Sequence, residues 1–511
     1  MTKDAEVDMK DVELNEVDPE KQPMTGGDTG NGDASSPLTE KNGSVKVKIP
    51  EENESKFTGL SKEELLKVAG TPGWIRARWA LLILFWLGWI GMLAGAVVII
   101  VQAPRCKPLP EMNWWNDGPL YQIGDVSAFT ENSDLKGLEK KIEDVVKLKV
   151  KGLIIGPIHV SNADKHEDLN LKEISSDIGN LDDFKNVISA VHKKGVSVVL
   201  DLTPNYKGTD LWFQNRSDIF PLVLEQVESA SDFWLQNDVD GILLHGVEQI
   251  ATADSFWTKI SDTVKNHTKE EKKKILIGVT NAQSAEDVSK QMNRTGVDLL
   301  LSDVLKLNSG TMTSQVIESL YSDHNTTQLA WNIGDRVRGH LASIVGSGCV
   351  KLSQLLLLTL PGTPVFNYGD EIGLGDNEYK YPKMIWLNAI NESDKEEKEQ
   401  KSSLKSFFTT LSEYRGKERS LMHGEYFPLN SSDSTMAYLR KWDQSERYIV
   451  ALNWHTSLSF TLQLTQKELP ETATIVVSTD AKELPVDTSV NLAELKLGPQ
   501  QAVLLKFPYT P

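Results

Sequence analysis

The sequence predicts an α/β fold in which a (β/α)8 barrel is followed by a small antiparallel β-sandwich. One transmembrane helix and a disordered tail are expected to precede the barrel. Three observations lead to this prediction. Residues 80–101 are 22 uncharged, mostly apolar positions. Between residues 112 and 416, eight short apolar runs alternate with amphipathic segments. From residue 417 onward, short alternating strands replace the helices.

Composition limits the possible functions. The chain has 511 residues and a formal net charge of −18, which argues against a nucleic-acid binder because such proteins need a basic surface. Its two cysteines, Cys106 and Cys349, are too few for a disulfide framework and wrongly spaced for a zinc site. We therefore expect stability to come from burial, and we expect neither a metal nor a cofactor.

The N-terminal segment is acidic and contains a single aromatic residue, Phe57. Residues 1–60 carry 14 Asp and Glu against 7 Lys, so we expect residues 1–57 to be a disordered cytoplasmic tail. Residues 58–79 are expected to contain a short juxtamembrane helix. Ser61 is its predicted N-cap and Glu64 completes a capping box, while Gly70 and Pro72 end it.

The apolar stretch 80–101 is long enough to cross a bilayer, because a helix of this length spans roughly 33 Å. It lies too far from the N-terminus for a cleaved signal peptide, so an uncleaved signal anchor is expected. Basic residues are more numerous before it than after it, which predicts a type II protein whose C-terminal part is extracellular. Residues 102–111 would form an extracellular neck. Gly91 and Gly95 predict a face that packs closely against another membrane helix, although this spacing also arises by chance.

Eight strand and helix pairs are predicted for residues 112–416. The predicted strands are 121–124, 152–155, 196–200, 241–244, 275–279, 299–301, 328–332 and 364–367. Helices are predicted around 135–149, 181–194, 220–236 and 402–415. This alternation is typical of a barrel of parallel strands, whose functional residues follow the carboxyl ends of the strands. Residues 417–511 are predicted to form the β domain.

Several motifs resemble those of the alpha-amylase family of glycoside hydrolases. They are Trp114-Trp115 with Tyr121-Gln122-Ile123, Gly152-Leu-Ile-Ile-Gly-Pro-Ile158, Asp201-Leu-Thr-Pro-Asn205, and Leu360-Pro-Gly-Thr-Pro-Val-Phe-Asn-Tyr-Gly-Asp-Glu-Ile-Gly373. The resemblance spans the region after the neck and implies a barrel with a vestigial sugar-hydrolase site. Enzymes of this family need two carboxylates, a nucleophile and a general acid, on opposite sides of the glycosidic bond.

The catalytic carboxylates that the resemblance implies are missing. The fourth strand, Gly241-Ile-Leu-Leu-His245, has His245 where the nucleophile is expected. The fifth strand ends at Val279 without an acid. Asp335 is the one carboxylate of the catalytic set that remains. We therefore predict no enzyme activity, and the alternative is a membrane-tethered alpha-glucosidase-like hydrolase.

The remaining polar residues of this region have simpler interpretations. His245 is expected to be a structural, hydrogen-bonded histidine rather than a catalyst. Asp201, Asn205 and Asp335 are interpreted as caps and turn residues at strand ends. Asp370 and Glu371, in the loop after the eighth strand, are expected to be solvated charges.

The segment after the third strand is short, with about 35 residues between Asn205 and Gly241, whereas amylases insert a domain there. An amylase-like barrel behind one membrane helix resembles the heavy chains of heteromeric amino-acid transporters, specifically the 4F2 cell-surface antigen branch. The branch of the cystine and dibasic amino-acid transporter keeps the inserted domain and fits less well. The resemblance implies a glycoprotein that chaperones a polytopic light chain to the plasma membrane and stabilises it there. It also implies association with integrin β subunits in adhesion signalling.

The two cysteines have different predicted roles. Cys106 lies in the neck, in an oxidising space, and has no obvious partner in its own chain. The resemblance implies an interchain disulfide with the light chain, and a free or homodimerising thiol is the alternative. Cys349 lies in the apolar stretch 344–358, which is predicted to be helical, and is expected to be buried and unpaired.

Glycosylation sequons support the predicted orientation. Six lie on the expected extracellular side, beginning at Asn215, Asn266, Asn293, Asn325, Asn391 and Asn430. Asn42 and Asn53 also match the pattern, but they fall in the predicted cytoplasmic tail and should stay unmodified.

Overall fold

The structure is a computed structural model that describes Gly59 and residues 61–103, 106–269, 272–378 and 380–510. The predicted tail 1–57, with Asn42 and Asn53, lies outside the described residues. The chain divides into two compact units, residues 1–103 and 104–511, and each is described by itself.

The first unit contains two helices, α1 (Lys62–Ala69) and α2 (Pro72–Gln102). The capping box of α1 is confirmed, because the Ser61 hydroxyl accepts from the Glu64 amide at 3.4 Å and Glu64 Oε2 accepts from the Ser61 amide at 3.1 Å. Gly70 forms the C-cap of α1, as predicted.

Within the described part of the chain, α2 is the one helix long and apolar enough to cross a membrane. It begins at Pro72, so its first two turns belong to the segment that was predicted as juxtamembrane. Proline is favourable in the first turn of a helix because its missing N–H would be unpaired there. Where the bilayer begins along α2, and in which direction the chain crosses it, stay predictions.

Ten strands of the second unit precede its last long helix, among the residues described. They are β1 (Leu120–Ile123), β2 (Gly152–Ile155), β3 (His159–Asn162), β4 (Lys165–Ile174), β5 (Ser197–Asp201), β6 (Gly241–His245), β7 (Ile275–Val279), β8 (Leu299–Leu301), β9 (Ala330–Trp331) and β10 (Thr363–Asn367).

Eight of these strands form the predicted barrel, in the order β8-β7-β6-β5-β2-β1-β10-β9, and the described pairs are parallel. The ring closes between β8 and β9, which lie side by side without forming a ladder. All residues of the eight strands are buried except Ser197 at the start of β5, as expected for parallel strands covered by helices on their outer face.

Twelve helices of the second unit are described. They are α3 (Val126–Phe129), α4 (Leu135–Val146), α5 (Leu181–His192), α6 (Phe220–Gln236), α7 (Val247–Ile250), α8 (Asp254–His267), α9 (Ala285–Thr295), α10 (Gly310–Asp323), α11 (Leu341–Val345), α12 (Val350–Thr359), α13 (Lys395–Lys417) and α14 (Arg419–Met422). The amphipathic ones turn their apolar face to the strands. In α5, for example, Phe184, Val187, Ile188 and Val191 are buried.

The antiparallel hairpin of β3 and β4, which follows the second barrel strand, was not predicted. Most residues of β4 are exposed and polar, and the hairpin register shifts twice, so its sequence lacks the simple alternation of a half-buried strand.

The predicted C-terminal β-sandwich is confirmed. Its strands are β11 (Glu425–Ser431), β12 (Thr435–Lys441), β13 (Arg447–Asn453), β14 (Phe460–Leu462), β15 (Thr472–Ser478), β16 (Ser489–Asn491), β17 (Leu495–Leu497) and β18 (Gln501–Phe507). Six form an antiparallel sheet in the order β11-β12-β13-β18-β15-β16, and β14 pairs with β17. One face of the large sheet joins the barrel core through α12, and its other face encloses a second core with β14 and β17.

Candidate functional site

The carboxyl ends of the barrel strands converge on one mouth. Asp201, His245 and Val279 are the last residues of β5, β6 and β7, and His245 pairs in register with Val279. Their exposed fractions are 0%, 2% and 4%, so these side chains lie inside the barrel rather than on an open cleft. The amylase-like positions that the sequence identified are therefore neighbours in space.

Both carboxylate oxygens of Asp201 are engaged. Oδ1 accepts from the amide and the hydroxyl of Thr203 at 2.9 and 2.5 Å. Oδ2 accepts from Nε of Arg336 at 3.2 Å. A carboxylate held in this way caps the turn after β5 and neutralises a buried cation, so it offers no free oxygen to a substrate.

Arg336 is the principal residue of the mouth that the sequence analysis did not single out. Its side chain is 2% exposed, its amide donates to Gln122 Oε1 at 3.2 Å, and its Nη1 lies 3.5 Å from the Tyr381 hydroxyl. A Cβ at Gly124 would lie 2.7 Å from Arg336 Cγ, so only glycine leaves room for this side chain. Arg336 therefore fills the barrel mouth. The sequence offered one signal for a role of Arg336 in the mouth, namely its position directly after Asp335 in the loop that follows β9.

The electrostatic balance favours a charged arginine. Burial, the largest single effect, opposes the charge of Arg336, but Asp201, Tyr381 and Asp335 together outweigh it, so the pKa of the guanidinium is raised. Asp201 and Arg336 form a buried ion pair, in which each partner depends on the other.

His245 is held through its backbone. Its amide donates to the Thr203 hydroxyl at 3.0 Å, and its carbonyl accepts from Trp212 Nε1 at 2.8 Å. Its Nε2 lies 3.5 Å from Asp201 Oδ2, within ion-pair range but without hydrogen-bond geometry to any described residue. Burial, and next the Arg336 charge, lower the pKa of His245 to about 4, so the imidazole is neutral at pH 7.

The end of β7, the fifth strand of the barrel, carries no carboxylate, since Val279 is followed by Thr280 and Asn281. The Thr280 amide donates to the Leu301 carbonyl at 2.9 Å, and its hydroxyl accepts from the Ala282 amide at 3.2 Å. The Asn281 side chain donates to Glu248 at 3.2 Å. These contacts organise the turn, and no proton donor occupies the place of the missing acid.

Asp335 stabilises the loop after β9. Its Oδ1 accepts from the amides of Val337 and Arg338 at 2.8 and 2.9 Å, and its Oδ2 accepts from Nε of Arg338 at 2.7 Å. Burial alone would raise the pKa of this carboxyl, but the charge and hydrogen bonds of Arg338, together with His245, lower the pKa below its usual range. Arg338 also bridges to Asp303 at 2.8 Å, so the carboxylate that survives from the catalytic set is committed to an ion-pair network.

Asn205 connects the loop after β5 to the hairpin turn. Its Oδ1 accepts from the Asp164 amide at 3.0 Å, and its Nδ2 donates to Asp164 Oδ1 at 2.8 Å and to the Asp210 carbonyl at 2.7 Å. These bonds hold the β3 and β4 hairpin against the mouth.

An open cleft of about 570 Å³ lies beside the mouth. Its lining includes Asp125, Asp177, Tyr206, Lys207 and Tyr381. Burial raises the pKa of Tyr206 to about 12, so its hydroxyl stays protonated. Tyr206 stands where a substrate-binding histidine is expected in amylases, and Arg336 lies behind it with Cζ 5.9 Å from the ring centroid.

The expectation that Asp370 and Glu371 are solvated is wrong, because both are 2% exposed. Asp370 accepts from the amides of Leu341 and Asn367 at 2.9 and 2.8 Å, and the Tyr121 hydroxyl donates to Glu371. Burial raises the pKa of both carboxyls. The start of the loop after β10 is therefore packed into the interior, and local sequence does not reveal this.

The cysteines and sequons are placed as follows. Cys106 is exposed, and Cys349 is buried and unpaired, as predicted. The stretch predicted as one helix around Cys349 is interrupted at Gly346, whose φ of 82° is left-handed. Five of the six sequon asparagines are exposed and Asn430 is half-buried; the exposed ones are Asn215, Asn266, Asn293, Asn325 and Asn391.

In α2, a Cβ at Gly91 or Gly95 would meet no atom within 4 Å, so both positions are open to a neighbouring helix. Among the described residues, no group of three or more His, Cys, Asp or Glu side chains is arranged to hold a metal ion.

Comparison with known proteins identifies the family. The family described as solute carrier family 3 member 2 N-terminus matches residues 45–121, and the alpha amylase catalytic domain matches residues 122–219. An alpha-amylase from Geobacillus thermoleovorans, solved with acarbose, has the same fold, with a TM-score of 0.60 and 17% identity over 78% of this chain and 99% of its own.

Two curated relatives distinguish the branches. The rat amino acid transporter heavy chain SLC3A1 is 24% identical over 90% of this chain and 88% of its own length. The rat amino acid transporter heavy chain SLC3A2 is 41% identical over 539 aligned residues, which cover 100% of both chains. Since this identity extends over the full length of both proteins, the chain belongs to the family of SLC3A2 amino acid transporter heavy chains.

Proposed function

We propose that this chain is the non-catalytic subunit of a heteromeric amino-acid transporter, in which it escorts a polytopic light chain to the plasma membrane and stabilises it there. The full-length identity with transporter heavy chains supports the role. The observation that carries the non-catalytic part is the ion pair of Arg336 with Asp201, which fills the barrel mouth.

A retaining glycosidase needs two carboxylates about 5 to 5.5 Å apart, with the sugar between them. Here the side chains at the nucleophile and acid positions are His245 and Val279, and both are buried. Asp201 and Asp335 are neutralised by arginines. The barrel therefore serves as a folded ectodomain rather than as an enzyme.

Cys106 is proposed to link the chain to its light chain through a disulfide. Of the two cysteines, only Cys106 is exposed, and it lies four residues after the end of α2. Burial raises the pKa of the Cys349 thiol, which makes that cysteine a poor competitor for disulfide exchange.

Electrophoresis of the full chain from mammalian membranes tests this proposal. Wild type should run as a larger species that collapses on reduction and contains a polytopic amino-acid transporter. Cys106→Ser should abolish that species, and the matched control Cys349→Ser should retain it. A wild-type chain that runs as a monomer without any transporter would overturn the proposal.

A type II orientation with an extracellular, glycosylated barrel completes the proposal. It is supported by the excess of Arg and Lys before α2 and by the exposure of five sequon asparagines. Peptide N-glycosidase should increase the gel mobility of the chain, and Asn→Gln replacement of all six sequons should abolish that change. Glycans on Asn42 or Asn53 instead would indicate the opposite orientation.

Gly91 and Gly95 are proposed to pack against a helix of the light chain. The double variant Gly91→Ile/Gly95→Ile should weaken light-chain association in the Cys106→Ser background, because two bulky side chains prevent close approach. Ala96→Ile, which changes a different face of α2, is the control. Equal association of both variants would exclude this packing.

Association with integrin β subunits is a further prediction from the family resemblance. It is tested by co-precipitation of integrin β with the full chain and with a chain lacking residues 1–57. If integrin β were absent from the precipitates of both the full chain and the shortened chain, the association would be excluded.

A further inference from the structure

The neck is attached to the β domain at the residue that follows Cys106. The Lys107 amide donates to Asp443 Oδ2 at 3.0 Å, and its ammonium donates to Glu425 Oε1 at 2.9 Å. The ammonium also lies 4.8 Å from the centroid of the Trp442 ring. Three β-domain residues therefore hold one neck residue.

The surface that receives Lys107 is rigid. Glu425 begins the edge strand β11 and pairs in register with Lys441, the last residue of β12. Trp442 is 6% exposed, and its amide donates to the Ser420 hydroxyl at 3.0 Å. Because this corner of the sheet is packed and hydrogen-bonded, it fixes the position of whatever is attached to it.

The consequence for Cys106 is a matter of chain length. Along the chain after Lys107, the next residue with described hydrogen bonds to the folded domain is Asn113, whose side chain accepts from Lys273 at 2.8 Å. Seven residues of extended chain span roughly 23 to 25 Å, whereas neighbouring Cα atoms lie about 3.8 Å apart. Without the contacts of Lys107, Cys106 could lie up to roughly 23 to 25 Å from its attachment point at Asn113. With them, its Cα lies about 3.8 Å from an anchored residue.

We propose that Lys107 is a positioning residue for the interchain disulfide, holding Cys106 at the corner formed by Glu425, Trp442 and Asp443 and so directing the partner's cysteine to that corner. This inference rests on the proposed disulfide link. The Cα atoms of a disulfide lie within about 7 Å of each other, so the partner chain must contact this corner of the β domain. The proposed interaction surface therefore includes this corner of the β domain.

The covalent step is an ordinary oxidation of two thiols. Each thiol loses its proton, the two sulfur atoms form one bond, and two electrons and two protons convert the disulfide of a secretory-pathway thiol oxidoreductase to a dithiol. Lys107 takes no part in the electron transfer. It raises the frequency with which the two sulfurs meet.

Two measurements on the full chain test the proposal, both with Lys107→Glu and with the charge-exchanged variant Lys107→Glu/Glu425→Lys. The first is partner-independent: a nitroxide label on Cys106, in a Cys349→Ser background, reports the mobility of the neck. The second is pulse-chase non-reducing electrophoresis in mammalian cells, which reports the rate at which the disulfide-linked species forms. Lys136→Glu, at an exposed position of the barrel helix α4, is the control.

We expect Lys107→Glu to mobilise the label and to slow linkage roughly 3- to 10-fold, the scale of an exposed ion pair combined with a cation–π contact. Charge exchange should restore both. A label that is as mobile in wild type as in Lys107→Glu overturns the anchor. A mobilised label with an unchanged linkage rate overturns the positioning role. If wild type forms no linked species, the disulfide proposal fails, and the label still decides whether Lys107 anchors the neck.

Discussion

The Arg336 guanidinium donates to the Asp201 carboxylate across 3.2 Å inside the barrel, where neither side chain is more than 2% exposed. In an amylase-like barrel this is the place at which the substrate would meet the catalytic carboxylates. Here the Arg336 side chain occupies that space, and the Asp201 carboxylate is paired with its charge. The ion pair therefore has consequences for stability and for catalysis.

Arg336→Met should destabilise the second unit by about 3–5 kcal/mol, because it leaves the Asp201 carboxylate buried without its cation. Asp201→Asn combined with Arg336→Met should cost less than Arg336→Met alone, because both charges are removed together. Chemical denaturation of the full chain in detergent measures these differences. If the double variant were as unstable as the sum of the single ones, Asp201 and Arg336 would not be energetically coupled.

Restoring single catalytic residues should not restore hydrolysis. We expect no release of nitrophenol from 4-nitrophenyl α-glucoside by wild type, His245→Asp, Val279→Glu or the double variant, because Arg336 still occupies the mouth. An active alpha-amylase measured in parallel is the positive control. Turnover by wild type that is lost in Asp335→Asn would contradict the non-catalytic interpretation.

The barrel could be predicted because its signals are local. The apolar runs of β2, β7 and β8 match the observed strands at both ends, since parallel strands buried on both faces are continuous apolar runs between polar turns. The hairpin of β3 and β4 was missed because its polar strands show neither a continuous apolar run nor a regular alternation of apolar and polar residues. The positions of Asp201, His245 and Val279 at the mouth were also predictable, because strand ends converge in this fold.

The chemistry of the mouth was less accessible to sequence analysis. Arg336 and Asp201 are 135 positions apart, and their pairing depends on the space above Gly124, which only the folded barrel defines. Asp370 and Glu371 resemble solvated charges in sequence, but Tyr121, from the first strand, donates to Glu371 from 250 positions away. Burial of a charge is a long-range property, so a local pattern does not contain it.

His159 and His245 should each contribute a loss of stability as the pH falls from 6.5 toward 4. Burial lowers the pKa of both His159 and His245 to about 4, from 6.5 in the unfolded chain. Above pH 6.5 the two histidines are neutral in both the folded and the unfolded chain, so they do not make stability depend on pH. Below it the unfolded chain binds protons that the folded barrel does not, which favours unfolding by up to about 3 kcal/mol for each histidine near pH 4.

Denaturation of the full chain between pH 7.5 and 4.5 measures this slope. His159→Gln should flatten it, and glutamine can still donate to the Pro204 carbonyl, which lies 3.1 Å from His159 Nε2. His324→Gln, on a residue outside the barrel mouth, is the control. An identical slope in His159→Gln and wild type would show that His159 takes no part in the pH dependence.

Arg440 holds the end of α12 to the β domain, whereas Arg415, on α13, holds that helix to the end of α12 and to the loop before β10; Arg440 is 0% and Arg415 is 1% exposed. Arg440, on β12, donates to the carbonyls of Thr359, Leu421 and Gly424, and Arg415 donates to those of Leu358, Leu360 and Gly362. Burial lowers the pKa of Arg440 to about 10 and that of Arg415 to about 9, so both remain charged at pH 7.

Arg440→Met should therefore leave three buried carbonyls without this donor, each at a cost of about 1–3 kcal/mol. Because those carbonyls lie on both sides of the junction, the loss should appear as separate unfolding of the β domain before the barrel. Arg440→Lys should recover part of it, since an ammonium can donate to some of the carbonyls but lacks the planar fork. Calorimetry of the full chain distinguishes one transition from two. Lys417→Met, on an exposed position of α13, controls for loss of a cation, and a single unshifted transition in Arg440→Met would show that the arginine does not join the two domains.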